Sequence, residues 1–227
     1  MVYSQLDDFS DYRELVTQFL KENMDTGDQS LPVNKLTKKT QPDHIVVVER
    51  IRPVTPLQNP SKFKCYLLTS PLDLSKLSTI KPFLTCKYSR GTGKLLMGES
   101  EILVGKLTNT NRGKQLFFHA NQQQVLTMTI DLPDHIYHVY TMEYEGNNYE
   151  MSFPRDKNGQ PTLKYHFIPT KKMGVESKNN FAMEKDTTSE RMLECLKVAD
   201  NQLMLAVRQP FNPLVASVVG ILRYRGM

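Results

Sequence analysis

The sequence predicts a mostly β protein: a closed β-barrel enclosing a buried hydrophobic C-terminal helix, with a short amphipathic helix near the N-terminus. Three observations lead there. The segment Asn212–Leu222 is apolar on every side of a helix. It is far shorter than the roughly 20 apolar residues that cross a bilayer, so protein must surround it. Upstream of it, from His44 onward, short β-type runs alternate with turn chemistry at regular spacing, the pattern of a sandwich or barrel. A sandwich has no space to enclose a helix, and a closed barrel does.

The elements follow in chain order. Phe9, Tyr12, Leu15, Val16, Phe19 and Leu20 recur at helical spacing, Asp11 with Glu14 resembles a capping box, and Gly27 lies past the end. This amphipathic helix is expected to pack on the body of the domain, and recruitment of a protein partner is a second reading of it. Asp7, Asp8, Asp11, Glu14 and Glu22 disfavour a membrane-surface helix. Residues 27–43 are polar and proline-punctuated, with Lys35, Lys38 and Lys39 close together, and read as a linker. The chain thus divides into residues 1–43, helix and linker, and residues 44–227, the barrel domain.

Strands are expected at 45–48, 63–68, 83–88, 102–104, 116–118, 125–130, 136–140, 163–168, 193–198 and 203–207. Turns are expected at 89–93, 109–113, 145–148 and 156–159, where Gly, Asn and Asp cluster. For the last helix, Asn212 is the predicted cap and Pro213 the first helical residue, where no N–H is needed. Arg223 and Arg225 close the apolar run.

Composition sets the outer bounds. The 227 residues, 39% hydrophobic and 23% charged, suit one sizeable domain with an appendage. A formal charge of +5 and a pI near 9.0 favour an acidic partner: phosphate headgroups, nucleic acid or an acidic protein face. Cys65, Cys86 and Cys195 are odd in number, widely separated and without CxxC spacing, and read as reduced thiols buried in strands of an intracellular protein. Neither a signal peptide, a transmembrane span nor a lipidation motif is visible, so the expected location is cytoplasmic with peripheral membrane contact.

Three segments resemble the tubby C-terminal domain family. Leu103-Val-Gly-Lys-Leu-Thr-Asn109 with Gly113-Lys-Gln-Leu-Phe-Phe118 is similar to that family's I-G-K-L-R-S-N…G-T-K-F-T-V-Y segment. Ser177-Lys-Asn-Asn-Phe181 is similar to S-V-K-N-F-Q. The run from Val198 to Phe211, leading into the final helix, resembles V-x-x-D-x-F-T-M-D-Y-x-Y-P-L. The likeness extends over roughly residues 44–225, a span that suits one domain. The family's closing S-S-F-x-x-K-L-A-C-E has no counterpart here.

The resemblance implies a closed barrel threaded by its C-terminal helix. It also implies a peripheral-membrane adaptor that binds phosphoinositide headgroups, phosphatidylinositol 4,5-bisphosphate above all, through basic residues on the wall. Lys106 falls on the family's phosphate-binding lysine. Thr108 stands where the partner arginine would be, which replaces a bidentate fork with a hydroxyl. Asn147-Asn-Tyr-Glu-Met-Ser152 stands in place of the basic turn G-P-R-K-M-S and adds Glu150. Nucleus and cilium are further locations compatible with the family.

On their own chemistry, Lys106 and Thr108 are two apart on an expected strand and share a face. Arg112 and Lys114 follow on the next loop, with Asn111, and Arg90 and Lys94 lie on the preceding hairpin with Lys87. Such a cluster could converge on a polyphosphorylated headgroup, or be solvated turn residues of a basic protein. No cofactor, metal site or catalytic residue is expected. His135 and His138, three apart, would fall on opposite faces of a strand, and no third ligand is evident. The pairs Glu99/Glu101 and Glu143/Glu145 read as exposed strand positions, and Gly91-Thr-Gly-Lys94 as a hairpin rather than a phosphate loop. Nucleic acid is disfavoured, because Phe117, Phe118, Tyr137 and Tyr140 alternate as core residues and no basic reading helix is present. The competing reading is a protein-interaction or transcription-regulatory barrel that has lost lipid binding.

Overall fold

The computed structural model describes residues 42–51, 61–89, 92–97, 100–110, 113–120, 123–131, 139–153, 158, 166–167, 172–173 and 175–224. The expected N-terminal helix, most of the linker, and the histidines at 135 and 138 lie outside these residues. The described chain is mostly β, built on a single large antiparallel sheet and one C-terminal helix.

The first strands are β1 (His44–Ile51), β2 (Ser61–Leu68), β3 (Leu84–Ser89), β4 (Thr92–Met97), β5 (Ser100–Thr110), β6 (Gly113–Ala120) and β7 (Gln123–Asp131). They continue as β8 (Val139–Tyr144), β9 (Asn147–Ser152), β10 (His166–Phe167), β11 (Lys172–Met173), β12 (Phe181–Lys185), β13 (Arg191–Ala199) and β14 (Gln202–Val207), before helix α1 (Pro213–Tyr224). The sheet order is β1-β14-β13-β12-β9-β8-β7-β6-β5-β4-β3-β2, with β10 and β11 in a separate two-stranded ribbon. β1 pairs with β14 on one side and β2 on the other.

The runs 45–48 and 203–207 are continuously apolar because both faces of those strands are covered. Val46, Val48, Leu203, Leu205 and Val207 belong to the core that surrounds α1. Ile45, Val47, Met204 and Ala206 belong to a second cluster with Leu196, Tyr66 and Leu77. Leu77 comes from a 3-10 helix at Pro71–Thr79, a segment that the strand periodicity did not disclose. In the first half of β2 the pattern is different: Phe63 and Cys65 are buried while Lys62 and Lys64 are exposed, a one-sided alternation that ends at the buried Tyr66.

Four strands were not expected from the sequence, one of them the two-residue β11. β4 begins inside the predicted turn at 89–93, with its Thr92 paired to Ser89 of β3. β9 alternates Tyr149 and Met151 inward with Asn148 and Glu150 outward, a pattern hidden by its two leading asparagines. β12 is a five-residue strand whose first three residues are all buried. The β8–β9 turn is tight, with Glu145 at φ 49° and Gly146 at φ 70° between paired Tyr144 and Asn147. That is the two-residue hairpin geometry whose twist suits antiparallel strands, and Asn147 Nδ2 donates to the Glu145 carbonyl across it at 3.0 Å.

Every residue of α1 is buried. Its start follows the sequence: Asn212 Oδ1 accepts from the Val215 N–H at 3.0 Å, and the Asn212 carbonyl accepts the first helical bond, from Ala216, at 3.1 Å. Phe211 anchors the approach, its ring edge-on to Tyr149 at 4.6 Å and Tyr144 at 5.9 Å between centroids. Ser217, inside the helix, donates its hydroxyl to the Pro213 carbonyl at 2.8 Å, so no polar side-chain hydrogen is stranded there. No described helix is long and apolar enough to cross a membrane.

The far end of α1 departs from expectation. Arg223 closes the apolar run in sequence, yet it is only 5% exposed. Its guanidinium lies 5.4 Å from the Tyr140 ring centroid, 5.5 Å from Phe181 and 5.7 Å from Phe153, and donates to the Lys178 carbonyl. Three aromatic faces and the carbonyl end of the helix replace water around this cation. Burial nonetheless pulls its pKa below the usual arginine value, with the Tyr140 hydroxyl opposing.

Candidate functional site

The proposed basic cluster falls on the run of hairpins β3–β6. β3 and β4 pair from Thr85↔Leu96 to Ser89↔Thr92, so strands flank the glycine-rich turn on both sides and no helix follows it. β4 pairs with β5 through Thr92↔Lys106 and Lys94↔Val104, and β5 with β6 through Lys106↔Phe117, Thr108↔Gln115 and Asn109↔Lys114. Since directly opposite residues share a face and alternate residues repeat it, Lys94, Lys106 and Thr108 occupy register positions of one parity. Lys114, opposite Asn109, occupies the other parity, one pair from the strand end. Arg90 and Arg112 lie outside the described residues. Lys94 is exposed.

The registers also add two lysines that the sequence reading left out, Lys62 and Lys64, to Lys87 and Lys94. Lys62 lies directly opposite Lys87, and Lys87 directly opposite Lys94. All three are exposed, on three adjacent strands. Lys64, two residues from Lys62, is exposed as well, and faces Glu49 across β1–β2. The signal was present as Lys-Phe-Lys-Cys, charged residues alternating with core residues. What sequence could not supply was the register that aligns them with Lys87 and Lys94.

A second polar region lies on β9 and β12. A groove of about 320 Å³ is lined by Glu150, Ser152, Phe153, Glu184 and Asp186, among others. Glu150 and Glu184 are directly opposite each other, and Glu184 is paired with Arg191 at 3.0 Å. Further along β13, the buried Glu194 carboxylate accepts from Arg208 at 3.2 Å and lies 3.6 Å from Arg191. These contacts tie β12, β13 and the segment after β14 together, which gives Glu194 a structural role.

The three cysteines are free and buried. Burial pushes the Cys65 thiol up to about 12, and moves Cys195 the same way, so both are held as neutral thiols and poor nucleophiles. No group of three or more potential metal ligands occurs among the described residues. Tyr140 is buried in the core, while the side chains of Phe117 and Phe118 and all of Tyr137 lie outside what is described. Glu143 and Glu145 are exposed on β8 and its turn. No protein-family model matches this sequence, and no curated protein matches it.

Proposed function

We propose that the chain is a closed β-barrel of the tubby-like type that acts as a non-enzymatic, phosphoinositide-binding adaptor at membrane surfaces. The pairing of β1 with both β2 and β14 supports closure, and the all-round burial of α1 supports its place as the plug. One observation carries the ligand reading: the register Thr92↔Lys106 sets Lys106 on the strand next to the exposed Lys94 and at the same parity. A headgroup bearing several phosphates needs a few convergent cations at one patch. Lys106 would contact phosphate, with Lys94 beside it, Thr108 supplying a hydroxyl, and Arg90 and Arg112 contributing from the turns; Lys114, at the other parity of β6, would not share this face. Residues 1–43 would recruit the protein partner, and the adaptor would reside in the cytoplasm until an anionic membrane draws it.

The test is co-sedimentation with vesicles containing phosphatidylinositol 4,5-bisphosphate against plain phosphatidylcholine. Wild type is expected on the former, and Lys106→Ala is expected to lower that retention about fivefold, one lysine near a membrane being worth roughly 1 kcal/mol. Equal retention on both vesicles refutes the lipid function. Full retention of Lys106→Ala refutes the site.

A second reading has its own observation. Glu150 is exposed, opposite Glu184, in the segment where the resemblance expects positive charge. Capture of a protein partner by a chain that ignores phosphoinositides would favour an interaction barrel.

A further inference from the structure

The geometry points to a lysine ridge, Lys62–Lys87–Lys94 across β2, β3 and β4, that docks the protein edge-on to an anionic bilayer surface, apart from any headgroup site on β5. The inference rests on the membrane reading above and adds to it the docking face and its lipid chemistry.

The ridge follows from register. Side chains of directly opposite residues in an antiparallel pair start only about 5 Å apart, and like charges there are destabilising. Two successive opposite pairs, Lys62↔Lys87 and Lys87↔Lys94, place three ammonium-bearing chains in one row, with Lys87 flanked on both sides. The buried neighbours Phe63, Cys86 and Leu95 hold the row in register from below. Among the described residues, neither Lys62 nor Lys87 has an ion pair or hydrogen bond, so no described carboxylate offsets the repulsion between these two. A surface dense in monovalent phosphate or carboxylate would, and the row is extended along the sheet rather than gathered around one pocket. That shape suits a plane of lipid headgroups better than a single polyphosphate.

A group of exposed carboxylates lies at the greatest distance in the sheet. From β3 the order runs β4, β5, β6, β7, β8, β9 one way and β2, β1, β14, β13, β12, β9 the other, six steps in each direction. β9 and its neighbours carry the exposed Glu143, Glu145 and Glu150, with Asp186 and Glu190 beyond β12. Against an anionic plane this asymmetry orients the molecule, β3 toward the lipid and β9 toward solvent. Long lysine stems over the sheet can reach the headgroup layer without inserting apolar residues. Binding by the ridge is therefore reversible and falls as salt rises.

The experiment measures partitioning of the full chain onto vesicles of phosphatidylcholine alone, of phosphatidylcholine rich in phosphatidylserine, and of phosphatidylcholine with phosphatidylinositol 4,5-bisphosphate. Wild type, Lys62→Gln/Lys87→Gln and Lys62→Arg/Lys87→Arg are compared. Phosphatidylserine vesicles are expected to retain wild type and the arginine variant, and to lose about tenfold or more of the glutamine variant. Removing the repulsion should leave the glutamine variant's melting temperature unchanged or raised. Undiminished retention of the glutamine variant on phosphatidylserine overturns the ridge. So does loss in the arginine variant equal to that in the glutamine variant. Specific retention on phosphatidylinositol 4,5-bisphosphate that needs Lys106 but not Lys62 and Lys87 would leave the headgroup site standing without the ridge. Retention on phosphatidylserine with no added preference for the phosphoinositide would leave the ridge standing without the headgroup site. Wild type that binds duplex DNA but none of the vesicles overturns the membrane assignment.

Discussion

At Gly220 a single hydrogen decides how closely α1 approaches β1 and β14. A Cβ there would come 2.8 Å from Val48 Cγ2 and 3.2 Å from Leu205 Cδ1. Val48 has a stiff branched side chain, and its strand is paired on both edges, so it has little freedom to yield. Alanine improves helix propensity by about 1 kcal/mol, whereas overpacking costs about 1–3 kcal/mol. Gly220→Ala is therefore expected to destabilise the protein by about 1 kcal/mol, read as a lower urea midpoint at unchanged slope. A midpoint at or above wild type would show that α1 is less tightly enclosed. Arg223 makes the complementary point, since its guanidinium is tolerated in the core only because aromatic faces and a carbonyl receive it.

Between elements, the relation of α1 to the sheet is the central one. A surface helix buries one stripe and tolerates charge on the other side. Ala216 and Val218 are two residues apart, about 200° around the axis, and each is 0% exposed. Ala216→Asp and Val218→Asp are both expected to abolish cooperative folding, since each buries an unpaired carboxylate. Circular dichroism and solubility would report this, and a well-folded variant at either site would identify an open side of the helix. The strands that touch α1 most directly, β1 and β14, are also backed by the second cluster with Leu77, so they are covered on both faces.

For the whole molecule, buried acidic groups set the pH range. The Cys65 thiol rises from an ordinary 9.0 to about 12, and Cys195 and Tyr140 are also raised, in each case chiefly by burial. These groups are neutral in the fold and ionise more readily once unfolded. Their contribution is complete below the ordinary value of each, 9.0 for the thiols and 10.0 for Tyr140, and is lost as pH rises above it, by about 1.4 kcal/mol per pH unit while only the unfolded state titrates. Urea midpoints are expected to be flat up to pH 9 and to fall steeply above it. A midpoint that holds to pH 11 would show these groups to be solvated. Charge is the other whole-molecule property, with lysines on β2–β4 and carboxylates around β9 giving the surface a direction that the net +5 does not express.

Much of this was legible in the chain because local chemistry controls it. The cap at Asn212, the first-turn Pro213, the hairpin at Glu145–Gly146 and the one-sided alternation of Lys62 to Cys65 each depend on residues within a few positions of one another. The apolar runs 45–48 and 203–207 were legible as strands, whereas their coverage on both faces came from the assembled structure. β9 escaped because two asparagines lead its alternating pattern, and β12 because five residues carry too little periodicity of their own. The site was less legible. Lys106 and Lys94 could be singled out one at a time, but the alignment of Lys62, Lys87 and Lys94 is a matter of long-range register. So is the like-charge contact of Glu150 with Glu184. Local periodicity declares which residues turn inward and where a helix begins, since those depend on backbone geometry over a few residues. Which charges meet depends on how distant strands slide against each other, and burial of the assembled core alone sets that.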